Sequence, residues 1–205
     1  MSKIEMLRFN QKAPDLELLD TAGKSIRLSK LWSKKPLLLA FTRHFGCTQC
    51  KEMLDELVSG REKIEKAGLG IAVITQGTPE ATALFVSEFA PGLLCLSDSS
   101  REAYRAYGLE RGNIFQTVLN PKVWSAVSRS RKKGFLLEPP PEGQDALQMS
   151  GTFIINTAGQ IVLPFYYDNI ADHPPLDLIL SGVLSTDWSR EFEGPIGPGA
   201  KKNKK

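Results

Sequence analysis

The chain has 205 residues, 41% hydrophobic and 24% charged, an ordinary composition for a soluble globular protein with room for a sizeable core. Its 26 Lys and Arg against 23 Asp and Glu leave a net charge of +3, too small to point to nucleic acid. No apolar run of about 18 residues suits a membrane span, the first residues lack an apolar signal region, and three cysteines make no disulfide framework, so the expected setting is a reducing cytoplasm.

Leu16, Leu18, Ile26 and Leu28 alternate with polar residues around Asp20–Gly23, which predicts a small hairpin. Within Pro36–Thr42, the unbroken run Leu37–Phe41 reads as a strand buried on both faces of a parallel sheet. From Cys47 to about Lys66 the spacing predicts one long helix, with Met53, Leu54, Leu57 and Val58 on its apolar stripe and Gly68 as its stop. Leu69–Thr75 is a second buried strand. Thr78 then Pro79 caps and opens a helix to about Phe89.

Leu93–Leu96 predicts a third strand, carrying Cys95 as a buried small hydrophobe. Ser99 and Glu102 form a capping box for a helix bearing Tyr104 and Tyr107. The pattern then loosens from Asn113 to Met149. One helix is expected over 121–133, with Val123, Trp124 and Val127 apolar and the basic run Arg129–Lys133 as a solvated face, the alternative being a contact for an acidic partner or nucleotide; 137–143 must be loop. Thr152–Asn156 and Ile161–Tyr167 form a hairpin, and Pro174 and Pro175 start a last helix, Leu176–Leu184. Residues 10–187 are expected to form one domain and 188–205 a flexible basic tail. Strands alternating with helices predict an α/β architecture, a central sheet made mixed by the late hairpin.

Chemistry concentrates where the first buried strand hands over to a helix start, in Arg43-His44-Phe45-Gly46-Cys47-Thr48-Gln49-Cys50. Unpaired N–H groups and the helix dipole stabilise a thiolate at Cys47, and the thiolate is the reactive form. Cys50, three residues on, shares that helix face within reach of a disulfide, and its place in the Leu54/Leu57 stripe predicts deeper burial. Cys47 is therefore expected to be the exposed attacking thiol and Cys50 its resolving partner, with Arg43 and His44 supplying positive charge and donors. An inert pair and a zinc site are the competing readings; zinc would draw its further ligands from His44, His173 and Cys95.

These residues resemble the peroxiredoxin-like branch of the alkyl hydroperoxide reductase/thiol-specific antioxidant group, which has a thioredoxin-like fold. The match is carried by Ala13-Pro14-Asp15, Gly23–Leu28 and Phe41–Cys50, then by Leu96-Ser97-Asp98, Tyr104–Leu109 and Gln148–Ile155 with Gly159-Gln160-Ile161. The resemblance implies a redox enzyme without a bound cofactor. Cys47 attacks a peroxide, Cys50 condenses with the resulting sulfenic acid, and an external thioredoxin- or glutathione-type thiol restores the pair; a homodimer is a further expectation. The chain departs from the group at Ala40 and His44, where the family carries Pro and Thr, and at Ser150, where it carries an arginine. Arg43 and His44 are then the residues expected to stand in. A thiol–disulfide oxidoreductase and a non-catalytic redox sensor or binding module remain alternatives.

Overall fold

The computed structural model describes residues 5–177, 179 and 180. The alternation around Asp20–Gly23 closes as an antiparallel hairpin of β1 (Glu17–Asp20) and β2 (Ser25–Arg27), followed by the turn α1 (Ser29–Trp32). Then come β3 (Leu37–Phe41), α2 (Thr48–Ser59), α3 (Arg61–Lys66), β4 (Gly70–Thr75), α4 (Pro79–Phe89), β5 (Leu94–Ser97) and α5 (Glu102–Ala106). A π-helical turn (Phe115–Leu119), α6 (Pro121–Lys132), β6 (Gly151–Ile155) and β7 (Ile161–Tyr166) complete the order. One seven-stranded sheet runs β2-β1-β5-β4-β3-β6-β7, with β3, β4 and β5 parallel and the flanking pairings antiparallel.

Strand β3 is central because every side chain in it has an apolar partner layer. Leu38 and Ala40 join Met53, Leu54 and Leu57 of α2 on one face, while Leu37, Leu39 and Phe41 join Trp32, Tyr104, Tyr107 and Phe153 on the other. The period of two along a strand thus divides one apolar run between two cores. It also fixes the end of β3 at the carboxyl edge of the sheet, where α/β folds place their ligands.

Four expectations are corrected. The single helix over 47–66 breaks into α2 and α3 at Gly60, which ends one helix and starts the next and lies close against Leu176 of the C-terminal segment. The capping box gives way to Asp98, whose carboxylate accepts from the Glu102 and Ala103 amides at 3.0 and 2.8 Å; Ser99 makes no cap. Within α6 the inward stripe is Val123, Ala126 and Ser130, and Trp124 faces out. The basic run is only partly a solvated face, since Arg129 and Lys133 hold the buried carboxylate of Glu52. Residues 176, 177, 179 and 180 are helical as expected, while the rest of that helix and the 188–205 tail lie outside the described residues.

Candidate active site

Past Phe41 the chain leaves the sheet, still tied to β4: the Thr42 amide donates to Ile74 O at 2.9 Å, and Tyr104 Oη donates to Thr42 O at 2.8 Å. The next four residues turn back on themselves, with the Cys47 amide donating to His44 O at 3.0 Å. Cys47 is the extended cap residue of α2, so its sulfur sits at the positive end of a twelve-residue helix. Arg43 wraps around both sulfurs. Its amide donates to Cys50 Sγ at 3.1 Å, and its Nη1 reaches Cys47 Sγ at 3.3 Å.

The electrostatics separate the two thiols. A hydrogen bond from Cys50 holds the Cys47 thiol well below the usual range, with the Arg43 guanidinium reinforcing it against the cost of burial. Burial and the neighbouring Cys47 charge push Cys50 well above that range. One proton therefore resides on Cys50 and the negative charge on Cys47. His44 is shifted down by burial, hence neutral, and its buried Nδ1 has no hydrogen-bond partner among the described residues. Cys95 sits in β5 with its thiol pushed up to about 12 by burial alone, an inert position.

Arg43, His44, Cys47 and Cys50 are thus brought together as expected, but exposure is not. Cys47 is 1% exposed and Cys50 5%, which reverses the expected order and buries both. The cover is the strap Gly134–Gln148, which has no regular structure. Its Glu138 amide donates to Gly46 O at 3.0 Å, so close that a Cβ at position 46 would lie 2.1 Å from Glu138 O. Gly46 is therefore a steric requirement of the crossing. The buried Lys51 ammonium pairs with the Glu138 carboxylate and lies 4.6 Å from the Phe89 ring centroid. Gln144 Oε1 accepts from the Phe45 amide at 2.8 Å, and Gln76 clasps the Asp145 backbone at 2.9 and 3.3 Å. Arg43 completes the pinning: Nε donates to Gln148 O at 3.1 Å and Nη2 to Ala146 O.

Behind α2 lies a second polar cluster. The Glu52 carboxylate, 1% exposed, accepts from Arg129 Nε at 3.1 Å, Lys133 Nζ at 2.7 Å and Ser130 Oγ at 2.6 Å. These bonds hold its pKa down at about 2 although burial opposes them. Gln49, between the two cysteines, donates to Ser130 Oγ at 2.8 Å, so α6 is latched to the start of the helix that carries them. Sequence reasoning missed Lys51, Glu52, Gln76, Ser130, Glu138 and Gln144. One signal was available: a structureless run as long as 134–148 inside a domain is uncommon unless it serves as a functional cover. Ser150, buried and unpartnered, brings no charge; the guanidinium at Cys47 comes from Arg43 instead. Among the described residues no three His, Cys, Asp or Glu side chains converge as a metal site would require.

Known proteins match most of this chain. A profile described as "AhpC/TSA family" matches residues 9–163. A prostamide/prostaglandin F synthase of Danio rerio is 33% identical over 171 residues, 80% of this chain and 81% of the relative. Peroxiredoxin-like 2C of Bos taurus is 25% identical over 183 residues, 85% of this chain and 80% of its own. Among solved structures, a peroxiredoxin 6 of Arenicola marina superposes with a TM-score of 0.64 at 12% identity, covering 86% of this chain and 72% of that one; at that identity the likeness concerns the fold.

Proposed function

Because this chain belongs to the AhpC/TSA family of thiol-dependent redox enzymes, we propose that it reduces peroxides at Cys47 and closes each turnover as a Cys47–Cys50 disulfide. The observation that carries this reading is the pairing at the helix start: Arg43 Nη1 stands 3.3 Å from Cys47 Sγ while Cys50 keeps the proton. The Cys47 thiolate attacks one peroxide oxygen, the O–O bond breaks, and the departing alkoxide or hydroxide takes up a proton. The sulfenic acid then condenses with the Cys50 thiol, forming the S–S bond and releasing water. Two thiols of an external donor reduce the disulfide and leave as a disulfide themselves. Arg43 stabilises charge on sulfur and on the departing oxygen, and His44, neutral with a free Nδ1, hydrogen-bonds the bound peroxide. Such a cycle suits the reducing cytoplasm, where the donor thiols are abundant.

The test is one equivalent of hydrogen peroxide added to the reduced protein, followed by thiol count and intact mass, repeated on Cys47→Ser and Cys50→Ser. Loss of two thiols in the wild type, with a sulfenic acid trapped only in Cys50→Ser, supports the assignment. Full reactivity in Cys47→Ser overturns it. Exchange with a small disulfide without peroxide reaction would make the protein a thiol–disulfide oxidoreductase, and inertness to both a redox sensor or binding module.

One feature favours a larger substrate than hydrogen peroxide. A cleft of about 1050 Å³ has an apolar side formed by Leu7, Phe9, Leu109, Met149 and Tyr166 and a charged rim that includes Arg8, Glu110 and Arg111; Met149 in its wall follows Gln148, whose carbonyl holds Arg43. It suits the apolar body of an organic peroxide, in keeping with relatives whose name specifies a prostaglandin product. Faster reduction of cumene hydroperoxide than of hydrogen peroxide supports this second reading; the opposite order removes it.

A further inference from the structure

Exposed apolar side chains are unevenly spread. Ten large hydrophobic residues stand exposed among the described residues, and seven of them lie between positions 114 and 137. Phe115, Val118 and Leu119 are on the π-helical turn with Ile114 just before it, Trp124 is on α6, and Leu136 and Leu137 are on the strap. Isolated exposed hydrophobes need no explanation, but a cluster carried by one insert between α5 and β6 marks an interaction surface.

Charge gives the surface its sign. From Arg111 to Leu137 the sequence holds six Lys and Arg and no Asp or Glu. Arg111 pairs with Asp145, and Arg129 and Lys133 share Glu52, which leaves Lys122, Arg131 and Lys132 without a carboxylate partner among the described residues. Trp124 and Arg131, seven residues apart on α6, share its outward face, and Trp124 Nε1 donates to Val118 O at 2.6 Å, joining helix and π-helical turn. Leu136 and Leu137 sit directly above the catalytic turn, since Lys51 Nζ reaches Leu136 O and the Glu138 amide bonds Gly46 O. The surface is therefore continuous with the cover of Cys47.

Resting on the peroxidase reading above, we infer that this insert is the docking face for the enzyme's electron donor, and that the donor is a dithiol protein with an apolar lip and acidic flanks. Two sulfurs buried at 1% and 5% exposure cannot be reached by a donor thiol until the strap parts. A protein that binds the strap's own leucines and the adjoining helix has the means to part it, provided it holds them more tightly once the strap has moved than in the closed arrangement. A small thiol such as glutathione has no use for so many large apolar side chains. A second copy of this chain would bring uncompensated cations against each other, which costs binding.

The experiment is steady-state reduction of hydrogen peroxide by the full chain, with thioredoxin and its NADPH-dependent reductase as one donor and dithiothreitol as the other. In Trp124→Ala, Phe115→Ser and the Arg131→Glu/Lys132→Glu double variant, KM for thioredoxin should rise about tenfold, the effect of losing one interface anchor. Turnover with dithiothreitol should stay at the wild-type rate, which also certifies folding. Added salt should raise the wild-type KM for thioredoxin and leave that of the double variant nearly flat. An unchanged KM in all three variants overturns the inference, as does a wild type that turns over with dithiothreitol but not with thioredoxin. Retention on phosphatidylserine vesicles or a concentration-dependent dimer lost in Trp124→Ala, with KM unchanged, would assign the face to a bilayer or a second copy and overturn it equally. If neither thioredoxin nor dithiothreitol supports turnover, the peroxidase reading fails instead. Direct binding of thioredoxin to the oxidised chain then decides the docking face, equal affinity for wild type and Trp124→Ala rejecting it.

Discussion

The turn Thr42–Cys50 and the strap Gly134–Gln148 meet over the same sulfur atoms but are built on opposite grounds. In the turn, the bonds that set Cys47's reactivity join residues at most seven apart: Cys47 N to His44 O, Arg43 N to Cys50 Sγ and Arg43 Nη1 to Cys47 Sγ. The strap is held over the turn by distant partners, with Phe45 and Gln144 separated by 99 residues, Arg43 and Gln148 by 105, and Lys51 and Glu138 by 87. Local bonds create the thiolate; long-range bonds decide what reaches it. Arg43 belongs to both sets and couples reactivity to cover.

That double membership makes Arg43→Met the most damaging change short of removing a cysteine. It deletes the donor at Cys47 Sγ together with two bonds to the strap, and loss of one such preorganised donor costs roughly 10²–10³ in rate. Stopped-flow peroxide kinetics should show that fall. The pH dependence of Cys47 alkylation separates the two roles. In the wild type the low thiol pKa preserves reactivity well below the usual thiol range, and reactivity is lost as pH falls through it. In the variant that loss should begin at higher pH. An unmoved profile with a slowed rate would mean that Arg43 acts on the strap alone.

The latch behind α2 tests whether the insert is structurally joined to the turn. Glu52 has its pKa depressed from 4.5 to about 2, so its stabilisation is complete above pH 4.5 and disappears as pH falls towards 2. The corresponding free energy is about 3 kcal/mol. Urea unfolding of Glu52→Gln at pH 7 should show a loss of that order, and its stability should vary less than that of the wild type between pH 5 and pH 2.5, a window taken from the same titration. A loss below about 1 kcal/mol, the range of an exposed ion pair, would mean that α6 is not anchored through this carboxylate.

Glu138→Gln isolates the cover from the chemistry. Glu138 is 59% exposed, so its pair with Lys51 adds little stability, about 1 kcal/mol or less. The expected result is several-fold faster modification of Cys47 by a bulky maleimide, with the thiol pKa unmoved. Equal rates for wild type and variant would show that the strap opens without breaking this pair. The smallest effect is expected for Cys95→Ala. With its thiol pushed up to about 12 in a buried strand, Cys95 should contribute nothing to thiol loss on peroxide treatment. A third thiol consumed in the wild type but spared in Cys95→Ala would contradict its inertness.

Much of this was legible in the chain. The run Leu37–Phe41, the Cys47–Cys50 spacing, the Thr78–Pro79 helix start and the late hairpin all appear where the local pattern puts them, because burial periodicity and capping act over a few residues. Errors arose at the helix break at Gly60, at the start of α5, where Asp98 rather than its neighbour Ser99 is the cap, and where Glu52 draws in Arg129 and Lys133 from far along the chain.

By itself, then, the sequence determined a mixed α/β sheet with a close cysteine pair where a buried parallel strand hands over to a helix start, since hydrophobic period and helix polarity are properties of neighbouring residues. Only the tertiary structure decided that both sulfurs are covered, that Arg43 spans them and the strap, and that a buried carboxylate ties α6 to the catalytic helix. The physical reason is range. A side chain shows its own propensity, but whether it stays in water or finds a partner some 80 to 105 residues away is settled only when the chain folds.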